Sequence, residues 1–153
     1  MAIRMKTVVT YRATATCPTH ARTEIPVRDL HVVIDEPAER GGTNMGPTPT
    51  ETAMTALIAC TNVIGHKNAQ KLGVDLGEIS IDAECQFDRR GVLLTEEIDI
   101  PFPKITLTVN CDTPASQDDL ARVGVETAKY CAIAKLFEQS GTDLTVNWVK
   151  TNA

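Results

Sequence analysis

A chain of 153 residues, 42% of them hydrophobic, is long enough to bury one core and short for two. A charged fraction of 23% places it with globular rather than disordered chains, and an aromatic content of 4% argues against a base-stacking platform for single-stranded nucleic acid. The net charge of −5, with no basic run to offset it, disfavours nucleic acid and anionic membranes as partners.

The threonine-rich first 20 residues hold no apolar core of signal-peptide length, and no stretch is apolar enough to span a bilayer, so a cytoplasmic location is expected. Neither repeats nor linkers interrupt residues 1–153, which read as a single domain. Residues 5–17 are rich in β-branched residues and predict a strand. Pro18-Thr19-His20-Ala21 predicts a turn, and strands follow at Arg22 to Arg28 and Leu30 to Asp35. Glu36 to Pro49 holds three prolines and three glycines and predicts an irregular loop.

A helix start follows. Thr48 suits the N-cap, Pro49 the first helical position, and Glu51 completes a capping box. The helix is expected to run to Leu72 and stop at Gly73. Ala53, Met54, Leu57, Ile58, Thr61 and Ile64 mark its apolar side, with Cys60 on the same stripe. Strands are predicted at Ile79 to Phe87 and Lys104 to Cys111. In the second, Ile105, Leu107, Val109 and Cys111 alternate with polar residues, the pattern of a half-buried antiparallel strand. A turn is expected at Arg90-Gly91. A second helix should open at Ser116 with Asp119 completing its capping box, run to Gln139 and end at Gly141. Leu144 to Val149 then alternates as the last strand. This order predicts an α+β class with antiparallel sheets around a long central helix. That helix is apolar over much of its circumference, which predicts a homodimer burying part of it.

The five cysteines, at 17, 60, 85, 111 and 131, are odd in number and widely spaced, which speaks against a disulfide framework. Without C-x-x-C or paired His/Cys spacing, no metal or other cofactor is expected. Each taken alone reads first as a small buried apolar residue. Cys60 and Cys131, however, both fall inside predicted helices. A thiol peroxidase needs an attacking thiolate, and a second cysteine that condenses with its sulfenic acid. The dipole of a helix end fades within a turn, so a cysteine mid-helix requires a cation instead, and arginine is the natural choice.

Leu30-His-Val-Val-Ile-Asp-Glu-Pro37, Gly41-Gly42-Thr43-Asn44, Gly46-Pro47-Thr48-Pro49-Thr50-Glu51 and Ala56-Leu57-Ile58-Ala59-Cys60 together resemble the core of the OsmC/Ohr family, the osmotically inducible and organic hydroperoxide resistance proteins. The segment Lys129-Tyr130-Cys131-Ala132-Ile133-Ala134-Lys135 is similar to its second cysteine-bearing landmark. The resemblance covers roughly residues 5–149 and looks closer to the broad OsmC-like branch. It implies an OsmC-like fold in an intertwined homodimer with two interfacial sites. It also implies a thiol peroxidase that reduces organic (lipid or alkyl) hydroperoxides, with Cys60 peroxidatic and Cys131 resolving. A dithiol reductant, such as a lipoylated protein, is the implied partner.

The chain departs from the family pattern at three places. The arginine of the first hairpin loop falls, counted without gaps, on Thr19, and Arg22 is the nearby candidate to replace it. The glutamate ten residues before the cysteine is Thr50 here, with Glu51 one position on. The usual Cys-Pro of the resolving segment is Cys131-Ala132. These departures motivate an alternative, a non-catalytic OsmC-like small-molecule-binding or redox-sensing protein. A purely structural domain with buried thiols is a third reading.

Overall fold

The computed structural model describes residues 7–152, and they divide into two compact units at Ala53–Met54. In the first unit, β1 (Thr23–Val27) and β2 (Leu30–Ile34) form an antiparallel hairpin in the register Thr23↔Ile34 to Val27↔Leu30. Arg28, at the turn, takes a φ of 58°. The long strand expected over 5–17 is not there. Residues 5 and 6 lie outside the described ones, and of the rest only Thr16 pairs, through a single antiparallel bridge to Glu24. β-branched composition favours extended backbone, but a strand is stable only against a neighbour, and residues 7–15 have none within the described chain. Tyr11 is 93% exposed there.

A 3-10 turn at Ala38–Arg40 interrupts the glycine-proline loop. The loop ends where expected: Thr48 N–H donates to Glu51 Oε2 (2.8 Å) and Glu51 N–H to Thr48 Oγ1 (3.3 Å), the reciprocal capping box. α1 runs from Pro49 to Leu72 and stops at Gly73, whose φ of 69° suits a residue without Cβ.

In the second unit, β3 (Glu78–Gln86), β4 (Lys104–Asp112) and β5 (Asp143–Lys150) form one sheet in that order. β3 and β4 are antiparallel, but β4 and β5 are parallel, so the expectation of purely antiparallel sheets is corrected to a mixed one. The cause is the crossover between them, α2 (Gln117–Tyr130) followed by α3 (Ala132–Gln139), which returns the chain to the starting end of β4. Ser116 caps α2 as predicted, accepting from Asp119 N–H at 3.1 Å.

Ile105, Leu107, Val109 and Cys111 of β4 are buried in the predicted alternation. Ala69, Leu76, Val109, Cys111, Leu120, Val123 and Trp148 form the core cluster. Trp148 sets its tightest spacing: a Cβ at Gly65 of α1 would stand 2.4 Å from Trp148 Cη2, and one at Gly124 of α2 2.7 Å from Trp148 Cδ1. The indole therefore requires glycine on both helices. At the far end of the sheet, Phe102 lies between Phe87 (ring centroids 5.1 Å) and Phe137 (5.3 Å, edge to face), anchoring α3. The loop after Phe87 turns at 89–94 and is tied by Arg90, which pairs with Asp88 (2.7 Å) and Glu96 (2.6 Å). No helix among the described residues is long and apolar enough to cross a membrane.

Candidate functional site

Cys60 lies at the middle of α1 and is half-buried; Leu57 and Thr61 beside it are buried. Cys131 was expected well inside one continuous helix. The structure corrects this: α2 ends at Tyr130, α3 begins at Ala132, and Cys131 between them is extended, with φ −71° and ψ 105°. Its N–H still closes α2 on the Thr127 carbonyl (2.9 Å), and its carbonyl already accepts from Lys135 N–H (3.1 Å). It is thus the last bonded donor of one helix and the N-cap of the next.

This position turns the Cys131 side chain inward, 1% exposed, with its thiol beside that of Cys60. Burial pushes the Cys131 thiol up from its ordinary range. The N–H groups of Ala134 and Ile133, at the start of α3, pull partly back by favouring its thiolate, though neither closes a capping hydrogen bond. The neighbouring Cys60 side chain, and its charge when ionised, push the same way as burial. Cys131 is accordingly held as a neutral thiol against its partner. On the two helices, the Thr61 and Thr127 hydroxyls are buried without hydrogen-bond partners among the described residues.

The remaining cysteines are in other settings. Cys111 is buried in β4, and burial raises its thiol, as it does for half-buried Cys85 in β3. Cys17 is exposed in the first unit.

Arg22 and Glu51 belong to the first unit. Arg22 closes the turn that begins at Thr19, whose Oγ1 accepts the N–H groups of Ala21 (3.2 Å) and Arg22 (2.9 Å). Its guanidinium reaches Thr43 Oγ1 through Nη1 (3.3 Å) and lies against Glu24, with Nε 3.2 Å from Oε1 in an ion pair too poorly aligned for a hydrogen bond. Glu51 is committed to the capping box. The Thr48 N–H, then the Thr48 hydroxyl, and more weakly the Arg40 charge hold its carboxyl below the usual range.

One residue of this unit was not singled out from sequence. Asp35 follows β2 and is fully buried. Its Oδ1 accepts Glu36 N–H (2.9 Å), and its Oδ2 accepts Thr43 N–H (3.1 Å), Met45 N–H (3.1 Å) and the Thr43 hydroxyl (2.5 Å). The Thr43 hydroxyl most of all, with the three amides, pulls its pKa down to about 2 against the opposing effect of burial. An acidic residue closing the apolar run Val32-Val33-Ile34, before a glycine-rich loop, was the signal available.

An α+β chain that sets a cysteine in mid-helix against a second at a helix junction defines a class of small paired-thiol proteins. Within that class, the chain belongs to the OsmC-like family, whose model matches residues 42–147. No curated protein sequence matches it. Among solved structures, it is similar to an OsmC-like protein from Mycoplasma pneumoniae, with TM-score 0.78, 15% identity, and coverage of 94% of this chain and 99% of that one. It is similar also to an organic hydroperoxide resistance protein OsmC from Legionella pneumophila (TM-score 0.69, 16% identity, 94% and 98% covered). A third is the organic hydroperoxide resistance protein OhrB of Bacillus subtilis (TM-score 0.61, 18% identity, 91% and 98% covered). At these identities the likeness carries the fold alone.

Proposed function

We propose that this protein is a two-cysteine peroxidase for organic hydroperoxides, acting as a homodimer. The observation that carries the reading is the Cys60–Cys131 thiol pair. Cys60, as thiolate, attacks the terminal peroxide oxygen of ROOH. The O–O bond breaks, the alcohol ROH leaves after taking a proton, and Cys60 becomes a sulfenic acid. Cys131 then attacks the Cys60 sulfur, giving a Cys60–Cys131 disulfide and water. An external dithiol returns both thiols and is itself oxidised to a disulfide, the role a lipoylated protein fills in some family members.

Several features support this division of labour. Cys60 is the more accessible of the two, whereas Cys131 is buried and its thiol raised, so it does not compete for peroxide. The aliphatic stripe of Leu57, Ile58 and Ile64 around Cys60 favours an alkyl or lipid tail over hydrogen peroxide. Arg22 is assigned the cation that accompanies the thiolate, and Glu51 an auxiliary role as the charge that fixes the first turn of α1. The contiguous exposed apolar run Val92-Leu93-Leu94 supports burial against a second copy. The similar Legionella pneumophila and Bacillus subtilis proteins are organic hydroperoxide resistance proteins, in keeping with the activity proposed.

The test is to treat reduced protein with stoichiometric cumene hydroperoxide and map its disulfides by peptide mass spectrometry. A Cys60–Cys131 link, formed faster than with hydrogen peroxide, is expected. Unchanged thiols with persisting peroxide would overturn the reading. The alternative, a binding or redox-sensing protein built on the same pair, is favoured by one observation: Glu24 lies against Arg22 and would compete with a thiolate for it.

A further inference from the structure

We infer that Asp35 and Thr43 are positioning residues for Arg22, a relay from a buried carboxylate through a hydroxyl to the guanidinium. The inference rests on the proposed role of Arg22 and deepens it. The geometry fixes the direction of every bond in the relay. The Thr43 hydroxyl has one proton, and it is given to Asp35 Oδ2 at 2.5 Å. An ionised carboxylate, already accepting three backbone N–H groups, has none to give back. The remaining Thr43 lone pairs are therefore acceptors, and Arg22 Nη1 donates into one of them at 3.3 Å. Donation to a carboxylate polarises the hydroxyl and makes its oxygen a better acceptor for a cation.

The relay also supports its own frame. Asp35 binds the N–H of Thr43 as well as its hydroxyl, so the loop cannot shift Thr43 without breaking both. The same loop meets the arginine turn a second time: a Cβ at Gly41 would stand 3.2 Å from His20 Nε2. Among the described residues, nothing exhausts the donors of Arg22. Its Nε is buried without a hydrogen bond, and Glu24 balances its charge from 3.2 Å. A guanidinium held at one nitrogen, with other N–H groups unspent, is suited to receive an anion such as a thiolate or a peroxide oxygen. Sequence places the four parts at positions 22, 24, 35 and 43, and the turn, the hairpin and the glycine loop bring them together.

Thr43→Val removes the hydroxyl and keeps the branched shape, and Thr43→Ser restores it. Phenylglyoxal modification of Arg22, mapped by peptide mass spectrometry, reads how firmly the guanidinium is held, whether or not the protein turns over peroxide. In Thr43→Val the modification rate should rise about five-fold, the effect of losing one ordinary hydrogen bond. Cumene hydroperoxide reduction should slow, and the thermal midpoint should fall with the lost bond to Asp35, so circular dichroism at the assay temperature serves as the control that the variant is folded. Thr43→Ser should return both rates to those of the parent. Modification of Arg22 at the parent rate in Thr43→Val, or no rescue by Thr43→Ser, overturns the inference. A parent protein inert to peroxide overturns the peroxidase reading instead, and the modification rates still decide the relay.

Discussion

Cys131 stands at the N-cap of α3 while its thiol lies beside that of Cys60, in the middle of α1. The junction residue is what brings the second sulfur to the first. In an unbroken helix over 117–139 the backbone at 131 would be helical, and the extended ψ of 105° that re-aims the chain there would be lost. The paired thiols therefore depend on a break that only three dimensions display.

Removing Cys131 should leave Cys60 without a resolving partner. In Cys131→Ser, one equivalent of cumene hydroperoxide is expected to yield a dimedone-reactive sulfenic acid at Cys60, and excess peroxide the sulfinic acid. Cys60→Ser should consume no peroxide above the level of denatured protein. Intact-mass measurements of the two variants check this, and equal peroxide consumption by Cys60→Ser and the parent would contradict it.

Reduction of the disulfide should be as directional as its formation. Cys60 is half-buried and Cys131 1% exposed, so an external thiolate reaches the Cys60 sulfur, and Cys131 departs as thiolate toward the N–H groups of Ala134 and Ile133. Protein oxidised with diamide, exposed briefly to glutathione and quenched in acid, should carry the mixed disulfide on Cys60. Glutathione found mainly on Cys131 would show the reverse direction.

Much of this was legible in the sequence, for local reasons. Thr48, Pro49 and Glu51 announced α1, Ser116 and Asp119 announced α2, and the alternation from Ile105 to Cys111 announced β4, because capping boxes and strand pleating are written within a few residues. The break at Cys131 was not, since Ala132-Ile133-Ala134 carries no glycine or proline. The proline of the usual family pattern would have stood at the first position of α3, where its fixed φ suits a helix start. The parallel pairing of β5 and the relay from Asp35 to Arg22 join residues far apart in sequence, which no periodicity records.

Trp148 makes a testable demand on both helices that enclose it. Gly124→Ala in an ordinary exposed helix stabilises by about 1 kcal/mol. Here the new methyl would stand 2.7 Å from Trp148 Cδ1, and overpacking of this kind costs roughly 1–3 kcal/mol. A net loss is expected, read as a lower urea midpoint at unchanged slope, with Gly65→Ala behaving likewise. A raised midpoint in either variant would mean that the indole moves aside.

Asp35 predicts an acid limb to stability. Its carboxyl is lowered from 3.8 to about 2, chiefly by the Thr43 hydroxyl. A group whose folded pKa lies below its unfolded one stabilises fully above the unfolded value and stops doing so as pH falls through the folded value. The contribution of Asp35 is therefore complete above pH 3.8 and lost on descent toward about 2. Glu51, Asp88, Asp119 and Glu126 are lowered as well, so the whole protein should soften in acid, and the share of Asp35 is the difference from Asp35→Asn. That variant should be less stable than the parent at neutral pH and lose less between pH 3.8 and about 2. Thermal midpoints of the two proteins, followed across that window, should converge. Parallel curves would mean that the loop around Thr43 and Met45 is held by something other than the charge of Asp35.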